Sequence, residues 1–349
     1  MALTSNKEEK TMKLKSKVYK TFLFFILIAF TLVMIGASPG MTGDKPVTLK
    51  LACQNLGLTE TVFMTDKYFK KIVNERTGGK IQIDLYPDTL AKGPAAFPAA
   101  QEGIADMISI VSAFIGGLMK DVAPMDLLGA YPPDRFPEVA KIIRPVMTKI
   151  FEQQNMKYLA SFYTNSGLVF ASSKRHYRTL EDLKGQKIRA PGVWWSKMVK
   201  GWGSSPMMIL PPELYTSMQR GTVDSVATIM SLIVLFKVYE PGPYITEYVN
   251  QSVTINYLLM NMNRFNSLDK KSQDIILQAS KDSELYSFDY GVKLEAEQRN
   301  LMKSKANYLM LSSEEISPIS EKIKPIFLEM RAHCGPLGNE LMDVLKSMK

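Results

Sequence analysis

Apolar residues recur along this chain with two alternating periods: every second residue over short runs, and every third or fourth over longer ones. Residues 47–55, VTLKLACQN, read as a strand. A helix then opens at Thr59 or Glu60, carries Val62, Phe69, Ile72 and Val73 on one side, and closes at Gly78-Gly79, where glycine supplies the left-handed exit. KIQIDLYP, residues 80–87, alternates as a half-buried strand does. A short helix over 95–102 stops at Gly103, and 105–111 is a further strand. Residues 125–137, rich in proline and apolar side chains, form an ordered loop before a helix over 138–154 and a strand over 156–163. Strands that alternate with helices predict an α/β fold with parallel-type sheets, whose ligands sit at the carboxyl ends of the strands.

Asn165-Ser166-Gly167 has the composition of a hinge, and a second series of the same kind follows it. Residues 168–171 open that series, and the strand Lys187-Ile188-Arg189-Ala190 is stopped by Pro191-Gly192. A helix over 194–202, a strand over 207–210, the stop Pro211-Pro212, a helix over 213–220 and a strand over 223–229 continue it. Gln-x-Gly-x-x-Asp occurs once in each series, at 101–106 and at 219–224, each time where a helix turns into a strand. Two lobes of one design follow. We place the first at 47–166 plus 254–294 and the second at 167–253 plus 295–349, with a strand over 253–262 crossing back and chain crossings near Asn165 and Gln251. Residues 269–306 hold one glycine and no proline, so a helix of about 35 residues and about 50 Å is expected there. Shorter helices should fill the tail, which contains Pro318, Pro325 and Pro336.

Composition sharpens this picture. At 46% hydrophobic and 22% charged the chain has ample material for a core, which argues against wholesale disorder. In the first 37 residues six lysines outnumber two glutamates, and the apolar run from Phe22 to Ile35 ends in Gly36-Ala37. That is the layout of a secretory signal peptide cut after about Ala37, implying a periplasmic product; the alternative is a retained anchor helix, for which the run is short. Of the formal charge of +9, the leader carries +4 and leaves +5, dispersed without basic runs, so nucleic acid is not an expected partner. Cys53 and Cys334 are read as two free buried thiols, with a disulfide as the alternative. His176 and His333 stand alone, which argues against a zinc site, and no nucleophile elbow, phosphate loop or dinucleotide fingerprint is present. No metal, no cofactor and no catalytic residue is assigned, and the chain is read as a binder rather than an enzyme.

Arg189 is the residue that carries chemistry. A guanidinium presents a planar fork of donors that meets a carboxylate bidentately, and this one stands at a strand mouth; the alternative is a structural ion pair with Glu213 or Asp224. KIRAPG, the turn Gly203-Ser204-Ser205-Pro206 and ELYTSMQRGTVD together resemble the signature of the DctP family, the solute-binding proteins of TRAP transporters. The resemblance is specific over this stretch and looser from about Thr48 to about Ala306. It implies a two-lobed periplasmic binding protein with an interlobe cleft and a long helix spanning both lobes. The implied ligand is an organic acid whose carboxylate binds Arg189, and the implied partners are the membrane subunits of the transporter. Trp194, beside Arg189, is a candidate for the pocket wall, as are Gln54, Phe114, Asn165 and Thr228, which follow strands and so fall at cleft positions. Sugar-acid binders in the family carry a second arginine where this chain has Leu168, polar residues where Val111 and Phe114 stand, and asparagine in place of Thr228. The pocket expected here is therefore less polar and suits a smaller or more apolar acid, with a sulfonate also open. An exported enzyme acting on a small acid and a ligand-sensing receptor lobe are the other classes this sequence admits.

Overall fold

The computed structural model describes residues 45–53, 60–251 and 255–348; the expected leader at 1–37 and Gln54 lie outside them. Eleven strands occur among the described residues: β1 (Val47–Cys53), β2 (Ile81–Pro87), β3 (Met107–Val111), β4 (Met156–Phe162), β5 (Gly167–Ser172), β6 (Lys187–Ala190), β7 (Ser205–Met208), β8 (Ser225–Thr228), β9 (Tyr244–Val249), β10 (Asn256–Asn261) and β11 (Asn307–Leu311). The helices that bear on function are α1 (Thr61–Arg76), α2 (Ser112–Ile115), α3 (Phe136–Glu152), α4 (Val193–Gly201), α5 (Lys270–Lys305), α6 (Lys324–His333) and α7 (Pro336–Lys346).

Two sheets form, one in the order β2-β1-β3-β10-β4 and one in the order β11-β9-β5-β8-β6-β7. Each is parallel except for one strand: β10 is antiparallel to β3 and β4, and β5 to β8 and β9. The crossings explain both exceptions. β4 ends where the other strands of its sheet end, and the chain enters the second sheet at once through β5, which must then run away from the shared edge; β9 and β10 repeat the manoeuvre in reverse. The two carboxyl edges therefore face one another across the crossings. The repeated motif has the same structure in both sheets. Gly103 and Gly221 adopt φ of +76° and +68°, and Asp106 and Asp224 accept the main-chain N–H of Lys50 and Lys187 at 2.7 and 2.9 Å, clipping the start of β3 to β1 and of β8 to β6.

α5 spans 36 residues, about 54 Å at 1.5 Å per residue, and packs on α1, α3 and β4 on one side and on β11 on the other. Asp269 caps its start by accepting from the Ser272 N–H. Its one glycine lies where it crosses the first hinge strand, because a Cβ on Gly291 would stand 2.5 Å from the Tyr163 ring. Buried polar groups rivet the helix on both sides of that point. Glu284 takes the Arg144 guanidinium and the Ser161 N–H, while Glu295 accepts the Ser166 N–H at 2.7 Å and Arg299 pairs with the buried Glu247 of β9 at 2.6 Å. α6 packs on α4 and α7 on α3, so the tail touches both lobes. β11 was not visible as a strand in the sequence: it is a half-exposed edge, NYLML, parallel to β9. Both cysteines are free and buried. No helix among the described residues is long and apolar enough to cross a membrane.

Candidate functional site

Arg189 is the penultimate residue of β6 and is 2% exposed. Its side chain turns along the carboxyl ends of the neighbouring strands: Nε donates to the Ile209 carbonyl at 2.9 Å, just past β7, and Nη1 to the Ala227 carbonyl of β8 at 3.1 Å. Burial alone pulls its pKa down, to about 10, and it stays cationic at neutral pH. The carboxylates weighed as structural partners are elsewhere. Asp224 is taken by Lys174 and the Lys187 N–H, and no ion pair to Glu213 forms among the described residues.

Opposite this strand end stands the exit of β3. Ser112 opens α2 and donates to the buried Asp126, whose carboxyl burial pushes up to about 7; its own Oγ accepts the Ile255 N–H at 3.3 Å. A Cβ on Gly116 would strike Asp126, so this turn is tightly built. It presents Ala113 to the second lobe, with Phe114 next to it, and contact is made there: a Cβ on Gly192, in the β6–α4 turn, would lie 2.6 Å from the Ala113 carbonyl oxygen, and one on Gly117 3.2 Å from Val193. Thr228 ends β8 beside the Ala227 carbonyl that holds Arg189.

The structure thus brings Arg189, Thr228 and Phe114 to the two facing edges. Asn165 sits at the crossing, where its amide donates to the Gly167 carbonyl at 2.5 Å and its carbonyl accepts from Thr164, shaping the hinge itself. Trp194 points its ring at His333 of α6 with Lys197 above it, so that ring is occupied by the tail. Gln54 is outside the described residues. Two groups escaped sequence reasoning. One is the hinge cluster of Glu295, Arg299 and Glu247, signalled only by an acid and a base four apart on a helix. The other is Asp66, signalled by an acid on the apolar stripe Val62–Phe69–Val73 of α1. A surface hollow of about 940 Å³, lined by Lys67, Lys70, Lys71, Tyr68 and Tyr286 among others, has no residue of the strand ends around Arg189 and lies away from the site.

The model of the bacterial extracellular solute-binding proteins, family 7, matches residues 54–333. The chain belongs to this DctP family. Among curated relatives, the 2,3-diketo-L-gulonate-binding periplasmic protein YiaO of Escherichia coli is 23% identical over 314 residues, 85% of this chain and 88% of its own. Among solved structures, a TRAP periplasmic solute-binding protein of Desulfovibrio salexigens with bound orotic acid has a TM-score of 0.78 at 22% identity, covering 86% of this chain and 98% of that one. The sugar acid binding protein DctPAm of Advenella mimigardefordensis, in complex with galactonate, also has a TM-score of 0.78, at 20% identity and 87% and 99% coverage. As in these DctP-fold proteins, the present chain is two-lobed, and its facing strand ends form the interlobe cleft.

Proposed function

We propose that this DctP-family protein is the periplasmic receptor of a TRAP transporter and that it binds an organic acid whose carboxylate pairs with Arg189. The observation that carries the reading is a buried guanidinium with no anion beside it among the described residues. Of its five N–H donors, two meet main-chain carbonyls, and the rest of the fork would meet a ligand at the cleft. A buried charge is costly unless paired, and a planar carboxylate matches the fork that is left. Phe114 and the contact surface around Ala113 and Gly192 would form the opposite wall and Thr228 the floor beside the carboxylate; Asn165 would shape the hinge.

Arg189→Ala leaves the bound anion without its partner, which typically costs about 2–5 kcal/mol, roughly 30-fold to several thousand-fold in affinity. Arg189→Lys keeps the charge, loses the bidentate geometry and recovers part of the loss. Mass spectrometry of the small molecule that copurifies identifies the acid; calorimetry with that acid and its amide tests the anchor. Wild type discriminates strongly between the two, and the alanine variant does not. Binding of the acid by Arg189→Ala within about threefold of wild type, about 0.6 kcal/mol, removes Arg189 as the anchor.

A further inference from the structure

On the first lobe, where β1 ends, several buried acceptors are short of donors. Asp66, on the inward face of α1, is fully buried; neither carboxyl oxygen makes a hydrogen bond of good geometry, the neighbouring Ser109 hydroxyl only partly offsets its burial, and burial drives its pKa well above the ordinary carboxylate value. It stands beside Ser109 of β3, and its charge reaches the thiol of Cys53, the last residue of β1. Asn256, the first residue of β10, is also fully buried; its Nδ2 donates to Ser109 Oγ at 2.9 Å and its Oδ1 has no partner. Glu60 adds a second carboxyl, capping α1 through the Phe63 N–H at 2.8 Å; after burial, its like charge further disfavours ionised Asp66. These groups lie at the carboxyl ends of β1 and β3, the edge that faces the second lobe.

The two halves of the cleft are thus complementary in what they lack. Among the described residues, a buried cation in the second lobe has no anion and a buried acid in the first has no cation. We propose that Asp66, Asn256 and Glu60 form a second subsite that takes the protonated amine of the ligand whose carboxylate Arg189 holds, so that the ligand class is amino-bearing organic acids. An ammonium carries three donors, which suits the two oxygens of Asp66 and Oδ1 of Asn256. A hydroxyl brings one and leaves the others orphaned, and an unmade hydrogen bond at a buried acceptor is what such sites reject. This subsite rests on the reading of Arg189 as carboxylate anchor.

Calorimetry on the full mature protein, with glycine through 6-aminohexanoate and the alkanoates of matching length, tests it. At least one amino acid binds about tenfold or more tightly than its matching alkanoate. Asp66→Asn, a neutral residue of the same size, brings that ratio below about threefold while the unfolding temperature does not fall, and Arg189→Ala weakens both members of the pair. Asn256→Ala, tested in the same way, also lowers the ratio. Alkanoates or hydroxy acids that bind as tightly as the amino acids, or a ratio that survives Asp66→Asn, overturn the amine subsite. If binding then still depends on Arg189, the carboxylate reading stands without it. Failure of every amino acid in the series to bind overturns the subsite as well, and the carboxylate reading keeps its separate test with the copurified acid.

Discussion

Replacing Gly192 by alanine sets a methyl carbon 2.6 Å from the Ala113 carbonyl oxygen on the opposite lobe, where ordinary contact begins near 3.4 Å. The obstacle is backbone, so it cannot swing aside, and the lobes must stay about 0.8 Å further apart at that point. Gly192 is extended, at φ −168°, a conformation alanine adopts without strain, so neither lobe is itself disturbed. A gap of that size turns hydrogen bonds of about 2.9 Å into contacts of about 3.7 Å, outside bonding range. If the ligand loses two such bonds to the first lobe, at about 0.5–1.5 kcal/mol each, affinity falls by about 1–3 kcal/mol, or roughly 5- to 150-fold. Calorimetry reads the affinity, stopped-flow locates the change in the off-rate, and small-angle scattering shows a liganded form that compacts less than wild type. Gly185→Ala is the control: at φ +71° with open space around it, its cost is backbone strain of about 1 kcal/mol, lowering the unfolding temperature without touching affinity. A Gly192→Ala protein that binds within about twofold of wild type and compacts fully would show that the contact at Ala113 does not limit closure.

Gly291→Ala pits two effects against each other. Alanine should favour the helix by about 1 kcal/mol, but its Cβ would lie 2.5 Å from the Tyr163 ring and 3.1 Å from Thr61, and overpacking of this kind costs about 1–3 kcal/mol, so thermal unfolding should show net destabilisation. Arg299→Leu strips the buried Glu247 of its ion pair, which costs about 3–5 kcal/mol; urea unfolding measures it, and a loss below about 1 kcal/mol would mean that the pair behaves as an exposed one. Stability should also rise as pH falls from 8 to about 5.5. Glu60, Asp126 and Glu295 are each pushed by burial from ordinary values of 4.5 or 3.8 up to about 7. The folded protein therefore binds protons that the unfolded chain does not, and this contribution is complete below those ordinary values and lost as pH rises through about 7. Asp269, held below the carboxylate range by Ser272 and Lys80, acts with opposite sign and only in stronger acid. A midpoint temperature that climbs steadily from pH 5.5 to 8 contradicts this assignment.

Much of the fold was legible because its punctuation is local. Gly103 and Gly221 mark helix exits that only a left-handed residue makes easily, and the two aspartates that follow are clips whose function repeats with their spacing. The 36 residues of α5 could be seen in the scarcity of glycine and proline. β9 and β11 were not seen. Whether YITEYV or NYLML pairs depends on which strand the tertiary fold sets beside it, and a half-exposed edge carries little alternation. Strand direction was hidden for the same reason: β5 and β10 read as ordinary strands, and only the crossings make them antiparallel.

For the site, what could be read was chemistry at a strand end, and what could not was where side chains turn. Arg189 stood out because its strand stops at Pro191-Gly192, and the structure places it at that mouth with nothing anionic on it among the described residues. Its neighbour Trp194 lay as close in sequence, but helix rotation turns its ring toward His333 instead. Asp66 shows the opposite failure. A carboxylate four residues after Val62 and three before Phe69 sits on the buried stripe of α1, and pattern reading passes over such a residue as an interruption. Burial drives the Asp66 pKa well above the carboxylate range, and the Ser109 hydroxyl only partly offsets it, so an acid that interrupts an apolar stripe near a strand's carboxyl end is a candidate ligand group rather than a flaw in the periodicity.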